Sequence, residues 1–299
     1  MKKDIRDIFF DNIKNTFLRK KNIFILTNDA DIYSLQKIKK NKRFIDAGVA
    51  EQNLINIAAG LASQKKLPLI YGFCTFLTFR CYEQLKFNIG SHNLNCKIIG
   101  IGPGYSFSND GPTHHGIQDL YLMYLIPEFE IYNISDNNLA NVISKKLFTM
   151  NGPVYVRLDK GILDYNNDIQ YDIKKGYALT ISVKGNKKLI ITTGIFNKIA
   201  NELALKNKID VLNLFRIKNF NKKGFLNLCK KYDKIIIYDE STMHGGITPI
   251  IQNLFLHHNL KKDITYLCSP DRQVFKYAQT REKMLEILKI SKQYLSKII

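Results

Sequence analysis

Phe44-Ile45-Asp46-Ala47-Gly48-Val49-Ala50-Glu51-Gln52-Asn53 is the stretch on which the reading of this chain turns. A short apolar strand at Phe44-Ile45 runs into a turn at Asp46 to Gly48. A helix is predicted from Asn53 to Gln64, with Leu54, Ile57, Ala58 and Leu61 on one face. Glu51 stands at the hinge between strand and helix. An aromatic cluster follows at Phe73, Phe76, Phe79 and Tyr82, and then a tight loop, Asp110-Gly111-Pro112-Thr113-His114. A carboxylate beside flat apolar rings suits an enzyme that grips and protonates a buried nitrogen heterocycle.

Outward from this stretch, short apolar strands alternate with helical segments. A helix is predicted over residues 4–20, then strands at 22–27, 67–71, 97–101, 130–134 and 154–158, with helices near 76–90 and 137–149 between them. Such alternation implies parallel β-α-β units. Ligands on these sheets bind outside the carboxyl ends of the strands. Glu51, Phe73, Phe76, Asp110 and His114 all follow strand ends, so three loops can converge on one crevice. Residues 166–185 are polar and glycine-punctuated and read as a linker between a first domain, 1–165, and a second, 186–299. The second run has strands at 188–193, 210–214 and 234–239, helices at 196–207, 222–232 and 248–258, and a terminal helix near 280–298. The fold class is α/β: two domains, each a mostly parallel sheet flanked by helices.

Composition narrows the function classes. The 299 residues are 45% apolar, enough for two packed domains. No stretch approaches the ~20 apolar residues that span a bilayer. The start, Met1-Lys2-Lys3-Asp4-Ile5-Arg6-Asp7, lacks the apolar run of an export signal, so a cytoplasmic location is expected. Five cysteines without a C-x-x-C pair suggest free thiols rather than a disulfide framework or a zinc site. Cys74 falls inside the aromatic cluster and is a candidate to line the site. The formal charge of +19 invites a nucleic-acid reading. The lysines are spread along the chain, however, and the densest run, Lys37 to Arg43, reads as a solvated connector. Attraction of phosphorylated substrates or of an acidic partner ranks next, and nucleic acid last.

Two phrases resemble the transketolase family: Asp46-Ala47-Gly48-Val49-Ala50-Glu51-Gln52-Asn53 and Asp110-Gly111-Pro112-Thr113-His114, with Thr75-Phe76-Leu77-Thr78-Phe79-Arg80 between them. The resemblance covers the pyrimidine-binding domain and the C-terminal domain of a full-length member. It is nearest to the C-terminal subunit of split, two-chain transketolases. It implies transfer of a two-carbon ketol unit between a ketose and an aldose, with thiamine diphosphate as cofactor. It further implies that Glu51 hydrogen-bonds the N1′ of the cofactor's aminopyrimidine, favouring the tautomer that activates the thiazolium carbon. The protein's part is orientation and proton tuning. A partly buried Glu51 among aromatic rings is expected to have a raised pKa. By the same resemblance Phe76, Phe79 and Tyr82 pack around the pyrimidine. His114 contacts a substrate oxygen and assists proton movement, and Asp110 helps select hydroxyl stereochemistry. A substrate-phosphate arginine is implied near the end of the 154–158 strand, where Arg157 is the candidate and Lys160 follows. Arg80 faces the partner or the substrate, or forms a surface salt bridge. Tyr238-Asp239-Glu240 with His244-Gly245-Gly246 resembles the C-terminal domain, which mainly builds the dimer interface.

The sequence departs from the family pattern at two places. Many transketolases carry a histidine eight positions before the motif aspartate, where this chain has Gly102. Nothing matches the Gly-Asp-Gly…Asn motif that holds the metal and the cofactor's diphosphate. The resemblance therefore implies a partner: a separate N-terminal subunit binding the diphosphate with Mg²⁺ or Ca²⁺, in an α2β2 assembly with a shared active site. Competing readings are a 1-deoxyxylulose-5-phosphate synthase-like half, which shares the Asp-Gly-x-Thr-His loop, and a 2-oxo acid dehydrogenase E1 β-like subunit, whose His-Ser-Gln-Ser type loop is absent. A non-catalytic binding protein that keeps the fold is the reading from a different class.

Overall fold

The computed structural model describes residues 3–165 and 168–299. The first sheet has six strands: β1 Ile23–Thr27, β2 Phe44–Asp46, β3 Leu67–Phe73, β4 Lys97–Ile101, β5 Glu130–Asn133 and β6 Val154–Leu158. Their order is β2-β1-β3-β4-β6-β5, and every pairing is parallel. Parallel strands covered by helices on both faces read as continuous apolar runs. Accordingly β4 and β6 are buried along their whole length. The chain winds to one side from β1 to β2 and to the other from β1 to β3. The crevice beyond β1 and β3 is thus a switch point, where ligands of open α/β sheets bind.

The second sheet holds β7 Tyr177–Ile181, β8 Lys188–Thr192, β9 Asp210–Leu214, β10 Lys234–Thr242 and β11 Asp263–Ser269. Its order is β11-β10-β8-β9-β7, parallel except for β7 against β9. Both sheets are therefore mostly parallel and flanked by helices, as the alternation predicts.

Four local expectations are corrected. The stretch read as a linker, 166–185, contains β7, an edge strand of the second sheet. Its polar surroundings and glycines hid a five-residue strand that a sheet edge tolerates. β11 was not anticipated, because as the opposite edge it is largely half-buried and shows no strong alternation. The single helix expected near 76–90 is broken into Cys74–Thr78, Tyr82–Gln84 and a π-helical turn at Leu85–Gly90. Thr78 turns its hydroxyl back onto the Cys74 carbonyl at 2.7 Å, a bond that bends helices. The break leaves Phe79, Arg80 and Cys81 in a turn. The terminal helix is likewise two pieces, Arg281–Ile287 and Lys292–Leu295.

The two sheets are joined beside the crevice. Arg281 is mostly buried and donates to Asp159, after β6, and to Glu240, in β10, at 2.6 Å each. Glu240 also accepts from the Tyr105 backbone N–H at 3.1 Å. The second domain thereby holds the segment that leads into the Asp110–His114 loop.

Candidate active site

Glu51 is the first residue of the helix Glu51–Ser63 and is only 2% exposed. The turn before it is fixed by Asp46, whose carboxylate accepts from the backbone N–H groups of Gly48 and Asp29. Gly48 takes a left-handed φ of +64°, which favours glycine. Glu51 has two side-chain partners. Asn28, just past β1, donates from its amide nitrogen to Oε1 at 2.9 Å. Arg80 donates from Nη1 to Oε2 at 2.7 Å. A Cβ on Gly72 would lie 2.2 Å from the Asn28 side-chain oxygen, so the glycine in β3 admits the amide that orients the carboxylate.

The raised pKa expected for Glu51 is not found. Burial alone pushes its carboxyl up, but its own backbone N–H at the helix start, Arg80 and Asn28 together outweigh that effect. The group lies below the usual value. Sequence reasoning assumed an apolar nest and missed both partners. Asn28 carried only a faint signal, a polar amide directly after an apolar strand.

An aromatic wall stands beside this carboxylate. The Arg80 guanidinium lies over the Phe76 ring, 4.8 Å from its centroid. Phe76 meets the His114 ring edge-on at 4.9 Å. Phe73 meets Phe76, Phe107 and His114 at 5.6, 5.0 and 5.3 Å. Glu51, Arg80, Phe76, Phe73, Phe107 and His114 are therefore contiguous, drawn from the ends of β2, β3 and β4. His114 closes a short 3-10 turn, Pro112–His114, and its Nδ1 lies 3.0 Å from the Thr113 hydroxyl. Asp110 is exposed at the loop tip. The neighbouring His115 is turned inward against Tyr105 at 4.9 Å.

Other expected residues lie elsewhere. Phe79 faces a shallow groove of about 360 Å³ with Tyr121, Leu125 and His244. Tyr82 packs against the apolar core. Arg157 is 3% exposed and points into the protein, donating to the Gly116 carbonyl at 2.7 Å and to Asp119 at 3.1 Å. Its position in a fully buried central strand explains why it does not reach the crevice as a phosphate ligand. Besides Arg80 on Phe76, Lys160 reaches the wall, with Nζ 4.0 Å from the centroid of Phe107. Cys74 is buried, and its thiol contacts the Gly102 carbonyl at 3.3 Å; burial holds its pKa up and the thiol protonated.

Comparison with known proteins identifies the family and the fold. The family model described as transketolase, pyrimidine binding domain, matches residues 2–165, and that described as transketolase, C-terminal domain, matches 176–292. The chain is 28% identical over 238 residues to the 6-deoxy-6-sulfo-D-fructose transketolase subunit SqwH of Clostridium sp. (strain MSTE9), covering 75% of this chain and 72% of that one. It is 28% identical over 222 residues to an apulose-4-phosphate transketolase subunit of Actinobacillus succinogenes, covering 72% and 71%. Its fold superposes on a split gene transketolase, solved as an inactive β4 tetramer, with a TM-score of 0.85 at 21% identity over 98% of this chain and 96% of that one. The chain belongs, together with split transketolase subunits, to the transketolase family of transferases.

Proposed function

We propose that this chain is one subunit of a thiamine diphosphate-dependent transketolase that moves a two-carbon ketol unit from a ketose to an aldose. The observation that carries the proposal is the Glu51 carboxylate, buried and oriented by Asn28 at the start of a helix, beside an aromatic wall at the carboxyl end of the sheet. The residues fit the cofactor's pyrimidine. A planar nitrogen group, the Arg80 guanidinium, already bonds Glu51 and lies over Phe76, so the place accepts a flat nitrogenous ring.

In this reading Glu51 bonds N1′ and Phe76 flanks the ring, while Phe79, on its own groove, and Tyr82, packed on the core, take no part. Bound thiamine diphosphate supplies the thiazolium carbon that accepts the ketol unit. In the tautomer whose Nδ1 accepts from the Thr113 hydroxyl, His114 has its ring proton on Nε2, where it can be offered to a substrate oxygen. Asp110, at the exposed loop tip, meets substrate hydroxyls. Lys160 replaces Arg157 as the group for a substrate phosphate, which favours phosphorylated sugars.

The diphosphate and its Mg²⁺ or Ca²⁺ belong to a partner subunit, in an α2β2 assembly that we assign to the cytoplasm. The matched regions, a pyrimidine-binding and a C-terminal domain, and relatives named as subunits support a partner. The test is co-purification with that partner and assay with thiamine diphosphate, Mg²⁺, a ketose phosphate and an aldose. Turnover by the pair is expected, and Glu51→Gln should lower it by about 10²–10⁴-fold while keeping the fold. Full activity in Glu51→Gln would remove the assigned role, and turnover by the isolated chain would remove the partner requirement.

A further inference from the structure

We propose that Arg80 is a positioning residue that sits in the pyrimidine's place on Glu51 in the free subunit and is displaced when the heterocycle binds. The proposal rests on the thiamine diphosphate reading above.

The Arg80 side chain is built into this position. Its backbone carbonyl accepts a hydrogen bond from the Gln52 amide at 3.0 Å, which ties the turn at 79–81 to the first turn of the Glu51 helix. Its guanidinium then spans Glu51 Oε2 at 2.7 Å and the face of Phe76 at 4.8 Å. A guanidinium and an aminopyrimidine share the features those two neighbours select. Both are flat, both lie against a ring, and both present nitrogen to a carboxylate oxygen. Oε2 can accept more than one hydrogen bond, but a ring lying on Phe76 against Oε2 needs the face that the guanidinium covers, so the two compete for one place.

The two partners of this ion pair differ in exposure. The Arg80 side chain is about half exposed, so its charge regains water at little cost when it swings away. Glu51 is enclosed and cannot be rehydrated in the same way, so it needs a replacement partner. Removing Arg80 also removes one of the influences that hold the Glu51 carboxyl low, leaving burial less opposed. The displaced state is therefore the one in which Glu51 is ready to share a proton with a ring nitrogen.

The experiment is calorimetric titration of thiamine diphosphate, with Mg²⁺ present, into the pair formed with the partner subunit. Wild type, Arg80→Ala and Arg80→Lys are compared, with melting curves to establish that each is folded. Arg80→Ala should bind about fivefold more tightly than wild type, the scale set by a partly exposed ion pair. Arg80→Lys should fall between them, since an ammonium keeps the charge but lacks the flat face. The gap between wild type and Arg80→Ala should narrow at high salt. Equal or weaker binding by a folded Arg80→Ala pair would overturn the role of Arg80 and leave the cofactor assignment standing. Failure of wild type and variant alike to bind would sink both.

Discussion

A Cβ placed on Gly102 would lie 2.2 Å from the Phe107 ring, and Gly102 itself holds a left-handed φ of +74°. The position at which many transketolases carry a histidine is thus doubly closed here. The backbone disfavours any side chain, and Phe107 fills the space one would need. The ring that does so is the one in contact with Phe73 and Lys160, so a phenyl ring stands here where the family pattern offers an imidazole.

Restoring the histidine should therefore fail. Gly102→His is expected to lower the melting temperature by several degrees, because the left-handed backbone alone costs about 1–2 kcal/mol with an L side chain and the contact with Phe107 adds to it. Phe107→Ala in the same chain should recover the steric part but not the backbone part. Thermal denaturation of the single and double variants measures both. A Gly102→His chain that melts with wild type would show that the turn is freer than its φ implies.

Arg157 is held inside the protein by Asp119, and Lys160 is the residue we propose for the substrate phosphate. Arg157, Asp119 and Tyr155 form a buried set, with the Tyr155 hydroxyl donating to Asp119 at 2.6 Å. Arg157→Met leaves the Asp119 charge enclosed without its cation and should destabilise the chain by about 3–5 kcal/mol, read from chemical denaturation. Lys160→Ala should stay within about 1 kcal/mol of wild type in stability. In the assembled enzyme it should raise KM for a phosphorylated aldose about tenfold and leave KM for the unphosphorylated sugar unchanged. Equal effects on both sugars would exclude a phosphate contact.

Much of this arrangement was legible in the sequence, for identifiable reasons. β4 and β6 are central parallel strands, so their apolar runs are uninterrupted and Lys97–Ile101 and Val154–Leu158 were expected with their observed limits. Glu51 and His114 were visible because each follows a strand end within a distinctive phrase. The edge strands β7 and β11 were hidden, since half-exposed strands need not look apolar. Arg157 was misassigned because a charged residue in a strand reads as a strand-end ligand until its buried partner, Asp119, is seen 38 residues away. Arg80 and Asn28 escaped for the same reason: their pairing with Glu51 spans 29 and 23 residues, and only the folded chain brings them together.

Lys97 gives a prediction in pH. It lies in β4 with no exposed surface, and its ammonium donates to the carbonyls of Met150 and Gly152 at 2.8 Å each. Burial pulls its pKa down to about 7, against ~10.4 for an unfolded lysine. Between those values the unfolded chain binds a proton that the folded chain does not, so this residue makes stability rise with pH, by up to about 1.4 kcal/mol per pH unit. Below about pH 7 both states are protonated and the slope vanishes. The buried thiols act in the opposite sense above ~pH 8.5, because burial raises their pKa and the unfolded chain loses those protons first. The effect of Lys97 is therefore read as a difference: the stability of wild type minus that of Lys97→Met, from urea unfolding, should grow as pH rises from about 7 towards 10. Parallel stability curves for the two proteins would mean that Lys97 keeps its proton in the folded state, held there by the two carbonyls.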